Sequence, residues 1–223
     1  MEALAFFQEE TLPVFLKGLR MSLLLIGPSA VIGFLIGIVA GTLRVYGGRT
    51  IRWLADTYVL LFRGVPLVVQ LFTWYFGLPY LGIYLSPVTA AIVGFSLCSG
   101  AYHSEYIRGA LQSIKRGQLL AAEALGFSKP AMVASIILPQ AVRLALPGCG
   151  NEVIYLIKYS SLAYMITCIE LTGEAKILAS HTFKYMEVFL AAGLFYLAMV
   201  TVAGWVLNRI EDRLRIPGFE HRV

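Results

Sequence analysis

The chain has 223 residues, 58% of them hydrophobic and only 14% charged, where a soluble domain carries about 25% charged residues. With a mean hydropathy of +0.75, this excludes a disordered chain, a collagen-like repeat and an ordinary soluble enzyme, and leaves an integral membrane protein. The net charge of +5 does not point to nucleic acid, because cationic loops mark the cytoplasmic side of a membrane protein.

A membrane-crossing helix needs about 20 apolar residues, since the hydrocarbon core is about 30 Å thick. Met1 to Arg20 is acidic and mixed, with Glu2, Glu9 and Glu10 where a cleavable signal would be basic. Met21 to Leu43 is uncharged and is the clearest crossing. Ile51 to Phe62 is half apolar and reads as an interfacial approach to the second crossing. The next uncharged run, Gly64 to His103, is too long for one crossing. Its middle, Pro79 to Pro87, holds Gly82, Ser86 and two prolines, so it splits into a second and a third crossing around a turn. Arg108 to Arg143 mixes charges with alanine and leucine and reads as helical, polar on one side and not spanning. Pro147 to Ile169 is the fourth crossing, although it contains Glu152 and Lys158. A charged loop, Glu170 to Glu187, leads to a fifth crossing, Val188 to Leu207, and a charged tail, Asn208 to Val223.

Five crossings place the termini on opposite sides. One set of loops holds Arg44, Arg49, Arg52, Arg108, Lys115, Arg116, Lys129, Arg143, Arg209, Arg213, Arg215 and Arg222. The other holds Lys17, Arg20, Lys176 and Lys184 against Glu2, Glu9, Glu10, Glu170, Glu174 and Glu187. The positive side is cytoplasmic. The expected fold is therefore an all-α membrane protein of five transmembrane helices, N-terminus outside and C-terminus inside. Its main cytoplasmic loop lies between helices 3 and 4. Cys98, Cys149 and Cys168 lie in or beside apolar stretches, at spacings that suit neither a disulfide framework nor a metal site.

The loop between crossings three and four carries the most specific pattern: Leu120-Ala121-Ala122, then Gly126, Ile136 and Leu138-Pro139. Small residues suit a helix that packs closely against a partner. Gly126 can take a positive φ and turn the chain between two short helices. Pro139 can start or break the next one. This resembles the EAA loop of ABC-importer permease subunits, with Leu120 in place of the usual glutamate and Glu123 as a local acidic alternative on a neighbouring face. Arg63-Gly64-Val65-Pro66-Leu67-Val68-Val69-Gln70, Ala101-Tyr102-His103-Ser104-Glu105 with Arg108-Gly109, Leu138-Pro139-Gln140-Ala141 with Arg143, Leu146-Pro147, Asn151-Glu152, and Lys158 with Ser160-Ser161-Leu162 resemble the polar amino-acid permeases of the histidine/glutamine/arginine type.

The resemblance implies one permease domain over residues 1–223, in a bacterial cytoplasmic membrane. It implies a second permease subunit, a cytoplasmic ABC ATPase dimer that binds ATP and Mg, and an extracytoplasmic solute-binding protein. No GxxxxGK[ST] occurs, so ATP falls to the partner and this chain is expected to bind no cofactor and to be no enzyme. The loop at about 109–145, with Leu120, Ala121, Ala122, Glu123, Gly126 and Phe127, would dock on the ATPase.

Ionisable residues at membrane depth are candidates for function because an unpaired charge there costs about 3 kcal/mol or more. Glu152 reads as a carboxylate on the substrate path or as a structural partner, with Asn151, Cys98, Ser99 and Tyr155 as further path candidates. Asn151 also reads as a helix-start hydrogen-bonding residue. Lys158 reads first as a snorkelling side chain. Ser29, Gly33, Gly37 and Gly41 form a small-residue stripe suited to close helix packing. His103 reads as packed, and Arg63 with Pro66 as a helix break or a boundary anchor. The rival functions are a permease for another small solute, such as an opine or a sulfur amino acid, and a secondary transporter that needs no ATPase. The latter would leave the 109–145 pattern unexplained. A membrane enzyme lacks a catalytic grouping.

Overall fold

A computed structural model describes residues 6–214, and the fold is helical throughout that range. The termini that carry Glu2, Arg215 and Arg222 lie outside the described residues. The helices are α1 (Phe7–Tyr46), α2 (Arg49–Gly64), α3 (Leu67–Leu81), α4 (Pro87–Ser113), α5 (Arg116–Ala124), α6 (Lys129–Ile166), α7 (Leu171–Thr182) and α8 (Tyr185–Leu214). Among the described residues, α1, α6 and α8 are each long and apolar enough to cross a membrane. The pair α2 and α3, bent by 104° at its break, is a fourth candidate.

The bend between α2 and α3 has a local cause. Pro66 disfavours a helical residue before it, and Val65 is extended at φ −93° and ψ 132°. Gln70 staples the break, its Nε2 donating to the carbonyls of Phe62 at 3.0 Å and Val65 at 2.8 Å. The turn expected at 79–87 is present. Gly82 ends α3 at φ +78°, and the Ser86 hydroxyl caps α4 by accepting from the Thr89 N–H at 3.1 Å.

α4 spans 27 residues but is not among the apolar candidates. Its sequence has exchanged bulk for small residues, and Ala90, Ala91, Ser96, Ser99, Gly100, Ala101 and Ser104 are all buried. The small-residue stripe of α1 explains this. A Cβ on Gly33 would sit 3.0 Å from Ser99 Oγ, one on Gly41 would sit 2.9 Å from Ile107 Cβ, and one on Gly37 would overlap the Cβ of His103. The stripe and the face Ser99-His103-Ile107 share a four-residue spacing, so the two backbones lie in contact along two helical turns. His103 is packed, as its neighbours predict: Nδ1 meets the Ser99 carbonyl at 2.8 Å and its ring meets Phe34 edge-on.

Two sequence expectations are corrected. The helix of the fourth crossing does not begin at Pro147. α6 starts at Lys129 and runs unbroken to Ile166, so residues 129–143 belong to the same helix as the crossing. Pro139 follows a wider π-type turn at Val133–Ile137, which absorbs the missing N–H, and Pro147 sits inside the helix. The segment after Glu170 is not a loop but the helix α7, packed on α1 where a Cβ on Gly18 would lie 2.7 Å from the Leu171 Cα. The charged tail is helical as far as Leu214, continuing α8.

Glu170 builds the α7 junction. Its carboxylate accepts from the N–H of Thr172 at 2.9 Å and of Gly173 at 3.0 Å, and from the hydroxyls of Tyr196 at 2.7 Å and Ser22 at 3.4 Å. One buried carboxylate thus caps α7 and ties it to α1 and α8. Burial pushes the Glu170 carboxyl above the usual carboxylate range, against the pull of these donors.

Candidate functional site

Two helix faces cross at the centre. On α4, Cys98, Tyr102, Glu105 and Tyr106 recur at three to four residues and share one side. On α6, Gly148, Glu152, Tyr155 and Tyr159 do the same. They meet where Gly148 leaves room for the Tyr106 ring, which any Cβ at 148 would strike. The resulting face is tyrosine-rich, with the Tyr155 and Tyr159 rings stacked 6.0 Å apart. A cleft of about 430 Å³ opens along it between the α2–α3 break, from Phe62 to Val68, and the side chains of Cys98, Tyr102, Tyr159 and Leu162.

The path candidates divide between locations. Glu152 is 3% exposed, and among the described residues no ion pair reaches its carboxylate. On its own helix Cys149 and Tyr155 lie one turn away, towards either end. Cys98 lines the cleft, its thiol directed at the Phe62 carbonyl at 3.6 Å. Tyr155 is exposed on the same face, with the Lys158 ammonium 4.6 Å from its ring centre. Ser99 lies on the opposite side of α4, against Gly33 and His103. Asn151 opens into a separate apolar groove between α1, α6 and α8. The structure therefore puts Glu152 and Tyr155 on one face of α6 and Cys98 in the cleft, and places Ser99 and Asn151 elsewhere.

One feature was only half visible in the sequence. At the end of the tyrosine face, Glu105 accepts from three arginines: Arg44 at 2.8 Å, Arg63 at 3.1 Å and Arg108 at 2.7 Å. Arg44 also pairs with Asp56 at 2.6 Å. Arg63 stands over the Tyr102 ring, 5.1 Å from its centre. The cluster joins the end of α1, the middle and end of α2 and the last third of α4. Its one local signal is the Glu105–Arg108 spacing of three residues. The other pairs depend on the crossing of α1 and α4 and on the α2–α3 break.

At the far end of α4, the segment proposed to couple is an open helix-turn-helix. On α5 Ala122 is buried, while Leu120, Ala121, Glu123, Gly126 and Phe127 are exposed. Gly126 has φ +80°, as expected for the turn, and nothing lies within 4 Å of a Cβ there. The turn is closed by the Phe127 N–H donating to the Ala122 carbonyl and the Gly126 N–H to the Glu123 carbonyl. The Gln140 side chain, donating to Gln118 at 2.9 Å, holds α5 against α6.

Comparison with known proteins gives a consistent result. The chain is 42% identical over 204 residues to a Bacillus subtilis (strain 168) protein named "Probable amino-acid ABC transporter permease protein YckA", covering 92% of this chain and 90% of that one. It is 37% identical to the B. subtilis arginine transport system permease protein ArtQ, covering 92% and 94%. Its structure superposes, with a TM-score of 0.81 and 33% identity, on a crystal structure of an amino acid ABC transporter with histidines, covering 90% of this chain and 94% of that one. Residues 33–216 match the model of the family described as "Binding-protein-dependent transport system inner membrane component", and the chain belongs to that family.

Proposed function

We propose that the chain is the permease subunit of an ATP-driven amino-acid importer, acting as one permease domain over its whole length in a bacterial cytoplasmic membrane. Its crossings are α1, α3, α4, α6 and α8, with α2 at the interface, the N-terminus outside and the C-terminus inside. A second permease subunit completes the path, an extracytoplasmic protein delivers the solute, and a cytoplasmic ATPase dimer binds Mg and ATP. The relatives' names support an amino-acid solute. The observation that carries the reading is Glu152, a carboxylate buried on the tyrosine-rich face of α6 with no ion pair among the described residues. Away from water such a charge is costly, and an ammonium or guanidinium group compensates it. We assign Glu152, Cys98 and Tyr155 to the path, with Ser99 and Asn151 supporting it from behind.

Glu152→Gln keeps the shape and removes the charge. It is expected to reduce uptake of arginine, lysine and histidine roughly tenfold more than that of glutamine, the equivalent of about 1.4 kcal/mol. The test is uptake by the co-purified complex in proteoliposomes. Equal losses for all solutes, or loss of assembly, would reject the assignment.

The turn at Gly126, with Leu120, Ala121, Ala122, Glu123 and Phe127, is the proposed ATPase contact. ATP-driven closure of the ATPases would reach the crossings through α6, which is continuous from Lys129 to Ile166. Since nothing crowds Gly126, a side chain there is strained only by its backbone. Gly126→Val is expected to cost about 1–3 kcal/mol locally. ATPase association should fall while membrane insertion persists, and Gly126→Asn, which tolerates positive φ, should retain most of it. Co-purification of the ATPase with each variant decides this. Undiminished association of Gly126→Val would place the contact elsewhere.

A further inference from the structure

The ion cluster around Glu105 does not balance: Arg44, Arg63 and Arg108 face only Glu105 and Asp56. Arg44 has Asp56 at 2.6 Å and Glu105 at 2.8 Å. Arg108 makes two bonds to Glu105 Oε2, at 2.7 and 3.0 Å. Arg63 has a single ion-pair contact, 3.1 Å to the oxygen that Arg44 already occupies, and its side chain is 41% exposed. Arg63 is the surplus cation. A guanidinium carries several N–H donors in a planar fork, and this one contact leaves most of them free among the described residues. Its position is nevertheless held from two sides, by Glu105 and by the Tyr102 ring 5.1 Å away.

Arg63 also stands where two hollows meet. The cleft of about 430 Å³ at the α2–α3 break and a basin of about 660 Å³ beside Arg44, Asp56 and Glu105 share Arg63, Gly64 and Tyr102 in their walls. In the cleft, Arg63 is the one charged residue among the described residues of the wall; the rest is apolar, apart from Cys98 and two tyrosines. A cleft whose sole charge is an underused guanidinium suits an anionic group, and a planar carboxylate matches the fork with both its oxygens.

We propose that Arg63 binds the α-carboxylate of the solute at the junction of cleft and basin. This rests on the reading of the chain as an amino-acid permease. The α-carboxylate is the anionic group that every amino acid carries, so Arg63 admits the class and does not choose within it. Glu105 and Tyr102 are positioning residues that hold the guanidinium ready. The contacts they make in the structure leave the fork open toward the solute.

The test is equilibrium binding to the assembled permease–ATPase complex in detergent, without the solute-binding protein, so that the permease alone discriminates. Arginine is compared with agmatine, and glutamine with γ-aminobutyramide; each second compound lacks only the carboxylate. Each amino acid is expected to bind roughly tenfold tighter than its amine, the scale of a charge-assisted bidentate pair open to some water. Arg63→Gln should bring both ratios close to one by weakening the amino acids and not the amines. Arg63→Lys keeps the charge without the fork and should cut both ratios about threefold; it carries the test if Arg63→Gln does not assemble. Amines that bind the wild type as tightly as the amino acids overturn the proposal, and so does an unchanged ratio in either assembled variant. Glu152→Gln should leave both ratios as they are, so failure of the Glu152 assignment leaves Arg63 standing. If neither amino acid binds the wild-type complex, the amino-acid reading itself fails and this inference falls with it.

Discussion

Replacing Glu105 by alanine is expected to destabilise the assembled permease by about 2–4 kcal/mol, less than a fully buried ion pair because the carboxylate retains some access to water. Glu105 is the common acceptor for Arg44, Arg63 and Arg108. Removing it leaves three guanidiniums within a few ångströms and Asp56 as the remaining anion of the cluster. Arg44, whose side chain is 12% exposed, then has half its compensation. The charges draw α1, α2 and α4 together in the native state, so their mutual repulsion would push the same elements apart. Glu105→Gln should lose less, because an amide oxygen still accepts hydrogen bonds. Thermal unfolding in detergent measures both. The double change Arg63→Gln with Glu105→Gln should recover part of the loss, since it removes the surplus cation with the anion. A Glu105→Ala protein as stable as wild type would show that the cluster does not hold the helices.

Gly37→Val should be at least as damaging, at about 3 kcal/mol or more. The site has no compliant neighbour: a Cβ on Gly37 would overlap His103 Cβ and lie 3.1 Å from the Ser104 nitrogen, so backbone and not a flexible side-chain end must move. The α1–α4 contact runs through Gly33, Gly37 and Gly41, and a wedge at its centre would open both flanks. Gly27 is the internal control. It lies on the same helix with nothing within 4 Å of a Cβ, and Gly27→Ala should be neutral or stabilising by up to about 1 kcal/mol through helix propensity. Unfolding temperatures of the two variants, compared with wild type, test the contact. A tolerated Gly37→Val would mean that α1 and α4 are not in backbone contact.

What the sequence revealed follows the range of each interaction. Apolar length located α1, α6 and α8, and Pro79 with Gly82 and Pro87 located the turn before α4, because these are local properties of chain and solvent. Gly126 was readable because a turn between two short helices calls for a residue that tolerates positive φ. The four-residue stripe in α1 announced a close partner but not that Ser99, His103 and Ile107 would be that partner. The limits of α6 were misjudged because Pro139 and Pro147 are read locally as breaks, whereas a π-type turn and a packed bundle let the helix continue. α7 was missed because its capping carboxylate, Glu170, looks like a loop charge until Tyr196 and Ser22, far away in sequence, are brought to it. The site shows the same division. Glu152 stood out as a charge in an apolar run, while Arg63, Tyr102 and Glu105 gained their places only from the bend at Pro66 and the crossing of α4 with α6.

Accumulation of labelled arginine in proteoliposomes tests whether the chain is an ATP-driven permease whose path holds Glu152. These would hold the complex of this chain with its ATPase, with the solute-binding protein outside and ATP supplied to the ATPase face. Arginine is expected to accumulate above its external concentration only when ATP and binding protein are both present, and accumulation should fall sharply in Glu152→Gln. Equal arginine entry with and without ATP, or accumulation that is indifferent to the Glu152 charge, would contradict it.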